Sequence, residues 1–517
     1  MMKNTKNEEK SEIPKDSSSD RPNLKGDWLN FYFLILLYTL QGTTTGLSYA
    51  FPIILQNTKF VTYNDQAILS FVLWPFSFKL LWAPVVDALH FQWIGRRKSW
   101  YIPIQFLIGV LFLFFGNNID DWLPESGKLN LNMIVCVLFL INFLAATQDI
   151  VVDSWALSLL KKNNVSYSST CNSTGIAFGL YIGSVCPVLL SSEYFCNKYL
   201  RFTPHDGGIL SIKSFLLFWG IVFLFVTFLV IFKKERNKEL EEDDDPLKIN
   251  IIQSYELLWD IFKIKHMKLL LMAILTSMIG LSTSESVTNL KLIDAGVSKD
   301  DIMIITTSMF ILKMCLPIFV TKYTTGPKPI SLYLKLMPAR LLWSIIFALL
   351  IYFTPRIIQD NNVVPTYYYL LIGFVFAVNR IMAQIMVTCM VAFFSRISDI
   401  RFGGMYMTLL NTVRSIGWVI PNTSFLKMVD LLTFSSCSND VQNSCSTPDL
   451  ENICNINDGH CEAVVDGYYV EVIICLVIGF VWFAVYKNHL KFFESKDRSH
   501  WLIDLNRPGN VKVSFTA

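Results

Sequence analysis

Eight charged side chains interrupt stretches of sequence that are otherwise apolar: Lys79, Asp149, Asp153, Glu285, Lys313, Arg380, Arg414 and Lys427. An ionisable group at bilayer depth costs at least about 2.5 kcal/mol even on the mildest scale, so each is a functional candidate. Asp149 and Asp153 stand four residues apart, which puts both on one face of a helix, where two like charges favour a bound cation, a proton or a nearby Lys or Arg. Cations outnumber acids in this set, and a surplus of cations facing a cavity favours an anionic cargo. Each charge also has a plainer role, a buried ion pair that fixes helix packing. Covalent catalysis and ATP-driven pumping find little support. No G-x-x-x-x-G-K-S/T segment occurs, and all six His residues, from His90 to His500, fall in loops, tails or span edges.

The elements that position these groups follow from composition. Of 517 residues, 53% are apolar and only 16% charged, far too much apolar surface for one soluble core. Runs of about 20 apolar residues, the length that crosses a bilayer, occur twelve times. Spans 1 to 6 are expected at 28–55, 66–88, 99–117, 131–159, 168–191 and 212–232, and spans 7 to 12 at 267–290, 301–322, 337–354, 366–395, 402–431 and 467–486. Residues 1–27 read as a disordered polar tail rather than a signal peptide, and 488–517 as a second tail. The stretch 233–266 between the two halves, 28–232 and 267–487, opens KKERNKELEEDDD and continues with Leu247, Ile251, Ile252, Tyr255, Leu258 and Trp259 at helical spacing, as in a helix lying on a membrane surface. Most of the 44 Lys and Arg lie on the side that holds both termini, which the positive-inside rule makes cytosolic.

The opposite side carries the loop 432–466, with Cys437, Cys445, Cys454 and Cys461 but no Lys or Arg. Their spacings lack close C-x-x-C pairs, so disulfides in an oxidising lumen are expected, with all three pairings open. No metal site and no cofactor are expected.

Spans 3, 6, 9 and 12 hold no charge at their centres, a division that resembles the major facilitator architecture, where every third helix stands away from the cavity. Gln41, Gln148, Asn172, Gln384 and Asn411 follow the same division, and Gln105 in span 3 departs from it. Parallel repeats predict matching residues six helices apart. Tyr167, Asn172 and Ser173 in span 5 match the spacing of Tyr406, Asn411 and Thr412 in span 11, and Lys79 with Pro84 resembles Lys313 with Pro317. Asp87 followed by Gly95, Arg96, Arg97 and Lys98 is similar to the facilitator gate motif. Seven residues separate Asp87 from Gly95 where that motif has two, which leaves the partner of Asp87 open.

Longer strings carry a closer resemblance: SFVLWPFSFKLLWAPVVDA at 70–88, GRRKSW at 95–100, FLAATQDIVVDSWAL at 143–157, STCNSTG at 169–175, CNKYLRF at 196–202, YMTLLNT at 406–412 and DGYYVEVIIC at 466–475. From about residue 28 to 487 the chain resembles the acetyl-coenzyme A transporter 1 family, with bacterial muropeptide permeases as more distant relatives. The resemblance implies an all-α, twelve-span carrier of the major facilitator fold, in the endoplasmic reticulum membrane, that takes acetyl-CoA into the lumen in exchange for CoA. It implies no enzyme activity, no nucleic-acid partner, contact with membrane lipid, and leaves a homo-oligomer open.

Acetyl-CoA carries about four negative charges, which Arg or Lys must meet in a low-dielectric cavity. Lys79, Lys313, Arg380 and Arg414 are therefore expected phosphate contacts, with Asn172, Asn411 and Gln41 as polar contacts. Tyr49, Trp74 or Trp82 could stack on adenine, or simply pack. Asp87, Arg96, Arg97, Asp149, Asp153 and Glu285 are the expected gating or coupling residues. The alternatives are a carrier of another anionic or peptide-like solute and a membrane acetyltransferase.

Overall fold

A computed structural model describes residues 24–56, 69, 71–91, 93–123, 130–191, 193–203, 205–233, 250–324, 328–358, 364–437, 440–444, 454 and 461–502. The fold is all-α and membrane-spanning, and each of the twelve expected segments is helical over most of its described residues. In the first half span 1 is Trp28–Gln56, span 3 Lys98–Trp122, span 4 Leu131–Leu159, span 5 Ser168–Ser191 and span 6 Ile212–Phe232. In the second half span 8 is Lys299–Thr324, span 9 Pro329–Ile358, span 10 Thr366–Ile397, span 11 Gly403–Leu432 and span 12 Gly467–Ser495. Eight helices among the described residues are long and apolar enough by composition to cross a membrane. The remaining four expected segments, spans 1, 2, 8 and 11, contain Gln41, Lys79, Lys313, Asn411 and Arg414.

Spans 2 and 7 are discontinuous, and each carries charge at its break. Span 2 runs through Phe71–Leu73, Trp74–Phe78, a 3₁₀ turn at Lys79–Leu81, and Ala83–Ala88. Pro75 and Pro84 sit in the first turns of its two α-helical pieces. Proline has no N–H to give the preceding turn and clashes with it, so the helix restarts at each. Span 7 runs through Lys265–Thr276, Ile279–Leu281, Ser282–Ser286 and Thr288–Asp294. There Ser277, Ser282, Ser284 and Ser286 return their hydroxyls to carbonyls three or four residues back, bonds that compete with the helical ladder.

Spans 1 and 5 approach closely through Gly42 and Gly46 against Gly175, Gly179 and Gly183. A Cβ on Gly179 would meet the Thr39 carbonyl oxygen at 2.1 Å, so only glycine fits. Span 6 shows the opposite surface, an exposed stripe of Phe218, Ile221, Phe225 and Phe228 at helical spacing, suited to lipid tails.

At the end of the bundle that holds both chain termini, one apolar core runs through both halves, joining Val86, Trp155 and Leu157 to Phe393, Phe394, Met405 and Tyr406. Toward the far end the second half has a separate core of Phe347, Ile372, Phe376 and Tyr468. The halves are therefore fused at the termini side.

Beyond span 11 lies a small antiparallel sheet of β1 (Phe434–Cys437), β2 (Asp440–Ser444) and β3 (Cys461–Val465), with β1 in the middle. A disulfide joins Cys437 to Cys454. Cys445 and the side chain of Cys461 lie outside the described residues, and Cys196 is a free, buried thiol. Between the halves an amphipathic helix forms at Ile251–Lys263, started by a capping box between Asn250 and Gln253, while Leu247 lies outside the described residues. It buries Ser254, Leu257 and Ile261, while Ile252, Tyr255 and Trp259 remain exposed.

Replacing Gly179 by Val places carbon where a backbone oxygen already sits, and overpacking of this kind costs about 1–3 kcal/mol. The expected outcome is a lower melting temperature for the detergent-solubilised protein. An unchanged melting curve would show that spans 1 and 5 can separate without loss.

Candidate functional site

Between the halves, span 4 presents Asp149 and Asp153 one helical turn apart. Asp149 accepts from Nζ of Lys79 in the break of span 2 and from Nε2 of Gln41 in span 1. Asp153 accepts from Tyr38 Oη at 2.8 Å, from Asn172 Nδ2 in span 5 at 3.3 Å and from Asn411 Nδ2 in span 11 at 3.1 Å. The two asparagines singled out by repeat spacing thus grip one carboxylate, one on each oxygen and one from each half. Arg414, one turn along span 11 from Asn411, is within electrostatic reach of Asp153 and Asp149, and its Nε is buried with no hydrogen-bond partner among the described residues.

A second cluster belongs to the other half. Glu285 in span 7 accepts from Arg340 in span 9 and, at 3.3 Å, from Asn379 Nδ2 in span 10. Arg340 Nε also donates to Asn379 Oδ1 at 3.2 Å. Arg380 Nη1 lies 3.8 Å from Glu285, an ion pair beyond hydrogen-bond range. Lys313 in span 8 faces Arg380 and Glu285, and its ammonium sits 5.1 Å over the Phe310 ring.

Arg340 corrects the expectation that span 9 carries no central charge. The helix begins at Pro329, eight residues before the expected start at 337, which moves Arg340 from the edge of the expected span toward the middle of the helix. Arg340 is 4% exposed and donates to Glu285 and Asn379. Gln105, the polar residue of span 3, does not face lipid either: it is buried and accepts from Gln148 of span 4.

At the termini side Asp87, the buried end of span 2, answers the question its motif left open. Arg97 Nη1 reaches its Oδ1 at 3.0 Å, Arg96 lies 3.8 Å away, and the Met405 amide in the first turn of span 11 donates to Oδ2 at 2.8 Å. A carboxylate there meets free N–H groups and the positive end of the helix dipole. A Cβ on Gly404 would stand 2.8 Å from both oxygens, so glycine keeps the approach open. Further cross-half bonds gather at this end: Arg97 to the Ile400 carbonyl, Ser168 to Ser395 at 2.8 Å, and Thr170 with Thr321 at 3.0 Å. Just outside span 1, burial opposes the charge of Asp27, but hydrogen bonds from the Lys161 amide, Asn164 and Asn30 outweigh it and hold its carboxyl below the usual range. Trp82 is half-buried, its ring 4.9 Å from Phe143 and its Nε1 bonded to Thr147, so its indole is held on span 4, whereas Tyr49 and Trp74 are about half exposed. The side chain of Lys427 lies outside the described residues.

The sequence profile described as acetyl-coenzyme A transporter 1 matches residues 30–351 and 330–503. The chain belongs to the acetyl-coenzyme A transporter 1 family. An uncharacterized protein of Schizosaccharomyces pombe is 30% identical over 86% of this chain and 83% of its own length. An uncharacterized membrane protein of Saccharomyces cerevisiae is 26% identical over 92% and 98%. Among solved structures, the major facilitator superfamily transporter FucP in the outward conformation superposes with a TM-score of 0.51 at 13% identity, covering 88% of this chain and 98% of its own. That likeness shows the fold, and the family shows a membrane transporter.

In this member of the acetyl-coenzyme A transporter 1 family the geometry divides the expected site residues. Gln41, Lys79, Asn172 and Asn411 are bound to the two aspartates of span 4, Arg96 and Arg97 to Asp87, and Lys313 and Arg380 stand beside Glu285. Arg340 and Asn379 were missed by sequence reasoning; Arg340 lay at a span edge, and Asn379 carries no charge to mark it.

Replacing Asp153 by Asn removes the charge that both asparagines hold, and Asp87→Asn removes the cap of span 11. Each is expected to raise several-fold the reactivity of a cysteine introduced at Ser395 toward an impermeant maleimide applied from the termini side. Unchanged labelling in both variants would show that this end is held by other contacts.

Proposed function

We propose that this transporter carries acetyl-CoA from the cytosol into the endoplasmic reticulum lumen, in exchange for CoA, by alternating access. One observation carries the reading beyond the family profile. Lys313 and Arg380 both stand beside Glu285, a single carboxylate that Arg340 already occupies, so a polyanion there would find positive charge in surplus. The excess of Lys and Arg at the termini side supports cytosolic termini. On that orientation the fused end of the bundle is the cytosolic gate, and the conformation is the lumen-facing one. Transport then requires the bonds to Asp153 and Asp87 to break and the far ends of the halves to close, with cargo binding offsetting the loss. The Cys437–Cys454 disulfide agrees with a lumenal loop.

The measurement that tests this uses purified protein in liposomes and acetyl-CoA labelled on both the acetyl and adenine parts. A carrier accumulates both labels in equal amounts, faster when CoA is loaded inside. Retention of the acetyl label alone would establish an acetyltransferase instead. Absence of both labels, with uptake of another organic anion, would assign a different cargo.

A further inference from the structure

The two charge clusters are not equivalent. Around span 4 the charges cancel: Asp149 and Asp153 face Lys79 and Arg414, and the carboxylate oxygens are occupied by hydrogen bonds from Lys79, Gln41, Tyr38, Asn172 and Asn411. Around span 7 they do not. A single carboxylate, Glu285, faces Arg340, Arg380 and Lys313, which leaves two positive charges in surplus.

The donors differ as well. Arg340 spends its donors on Glu285 and Asn379 and is closed to solvent. Among the described residues Arg380, 30% exposed at its side chain, makes only the long 3.8 Å ion pair, and Lys313 makes no ion pair and rests on the Phe310 ring. An ammonium and a guanidinium with most of their donors unspent are what phosphate oxygens require. The bond between Arg340 and Glu285 keeps that carboxylate occupied, so it competes weakly with an incoming anion for Arg380.

Resting on the acetyl-CoA reading above, we infer that the cargo binds with one polarity, its phosphate-bearing nucleotide end on Lys313 and Arg380 of spans 8 and 10, and its uncharged pantetheine arm along the charge-balanced face of span 4. Lys79 and Arg414 then act on the span 4 aspartates, setting how readily the gate opens, and do not hold phosphate. This separates four cations that sequence reasoning grouped as equivalent phosphate contacts.

The test uses fragments on the full-length protein. Binding of adenosine 3′,5′-bisphosphate and of pantetheine is measured on purified wild type by thermal shift, and each is used as an inhibitor of acetyl-CoA uptake in liposomes. Loss of one charge-assisted contact weakens binding by about tenfold or more. Arg380→Gln and Lys313→Gln are therefore expected to weaken the bisphosphate by that factor and leave pantetheine unchanged, with Arg380→Lys recovering part of the loss. Lys79→Gln and Arg414→Gln are expected to leave both fragment affinities within about twofold while changing the uptake rate. Bisphosphate affinity reduced equally by Lys79→Gln and Arg380→Gln, or no bisphosphate binding to wild type, would overturn the polarity. Wild type that binds bisphosphate at Arg380 and Lys313 yet moves no acetyl-CoA would leave the subsite standing and remove the cargo.

Discussion

A carboxylate buried between two bundles of helices must be satisfied by whatever stands nearest, and Asp153 draws its donors from both. Taking such a group out of water without partners costs several kcal/mol, whereas three hydrogen bonds offset most of that. Asn172 and Asn411 are neutral donors from opposite halves, so their hold on Asp153 depends on the two halves being close and is strengthened when the aspartate is charged. The same carboxylate therefore rewards closure of the termini side and penalises any opening that does not resupply donors. Asp87 repeats this logic one layer out, with the helix-terminal Met405 amide of span 11 in place of asparagines.

The discontinuities in spans 2 and 7 serve the same end. A continuous helix offers side chains only at fixed angles, and its backbone polar groups are spent on its own ladder. The proline-bounded 3₁₀ turn of span 2 brings Lys79 to Asp149, and the serine-rich break of span 7 brings Glu285 to Arg340. In both cases the break lies against another span, so the backbone groups it frees stay inside the protein and away from lipid, as a bilayer demands. The gate and the clusters are thus built from a few local departures from helix, and the glycine-packed pair of spans 1 and 5 supplies the close-packed wall against which they work.

Much of this could be read from sequence because membrane helices obey strong one-dimensional rules. Span 4 at 131–159, span 5 at 168–191 and span 6 at 212–232 carry the expected boundaries, since apolar run length alone sets them. The asparagine pair was legible through repeat spacing, although that spacing named no partner; the shared carboxylate on span 4 is a three-dimensional fact. The same spacing paired Tyr167 with Tyr406, and there symmetry fails: Tyr406 donates to the Trp501 carbonyl, while Tyr167 rests on Phe31. Arg340 was illegible for a physical reason. Charge near the end of an apolar run is ambiguous between a membrane rim and a buried site, and only the length of span 9 decides it.

The helix between the halves draws these threads together. Val85 and Val86 both turn their amides to the Trp82 carbonyl, so the ordinary partner of the Leu81 carbonyl is diverted at the break in span 2, and the Tyr255 hydroxyl of the connecting helix takes it at 2.5 Å. That helix packs on the last turn of span 2, yet a single residue, Ile264, separates its end at Lys263 from the start of span 7 at Lys265. It is therefore bonded to one half and continuous with the other. Any rocking of the halves about the termini side must either bend the chain at Ile264 or pull Tyr255 from the carbonyl two residues after Lys79. The connection between the halves is thus mechanically joined to the turn that holds Lys79 against Asp149, and motion at the gate cannot leave that ion pair untouched.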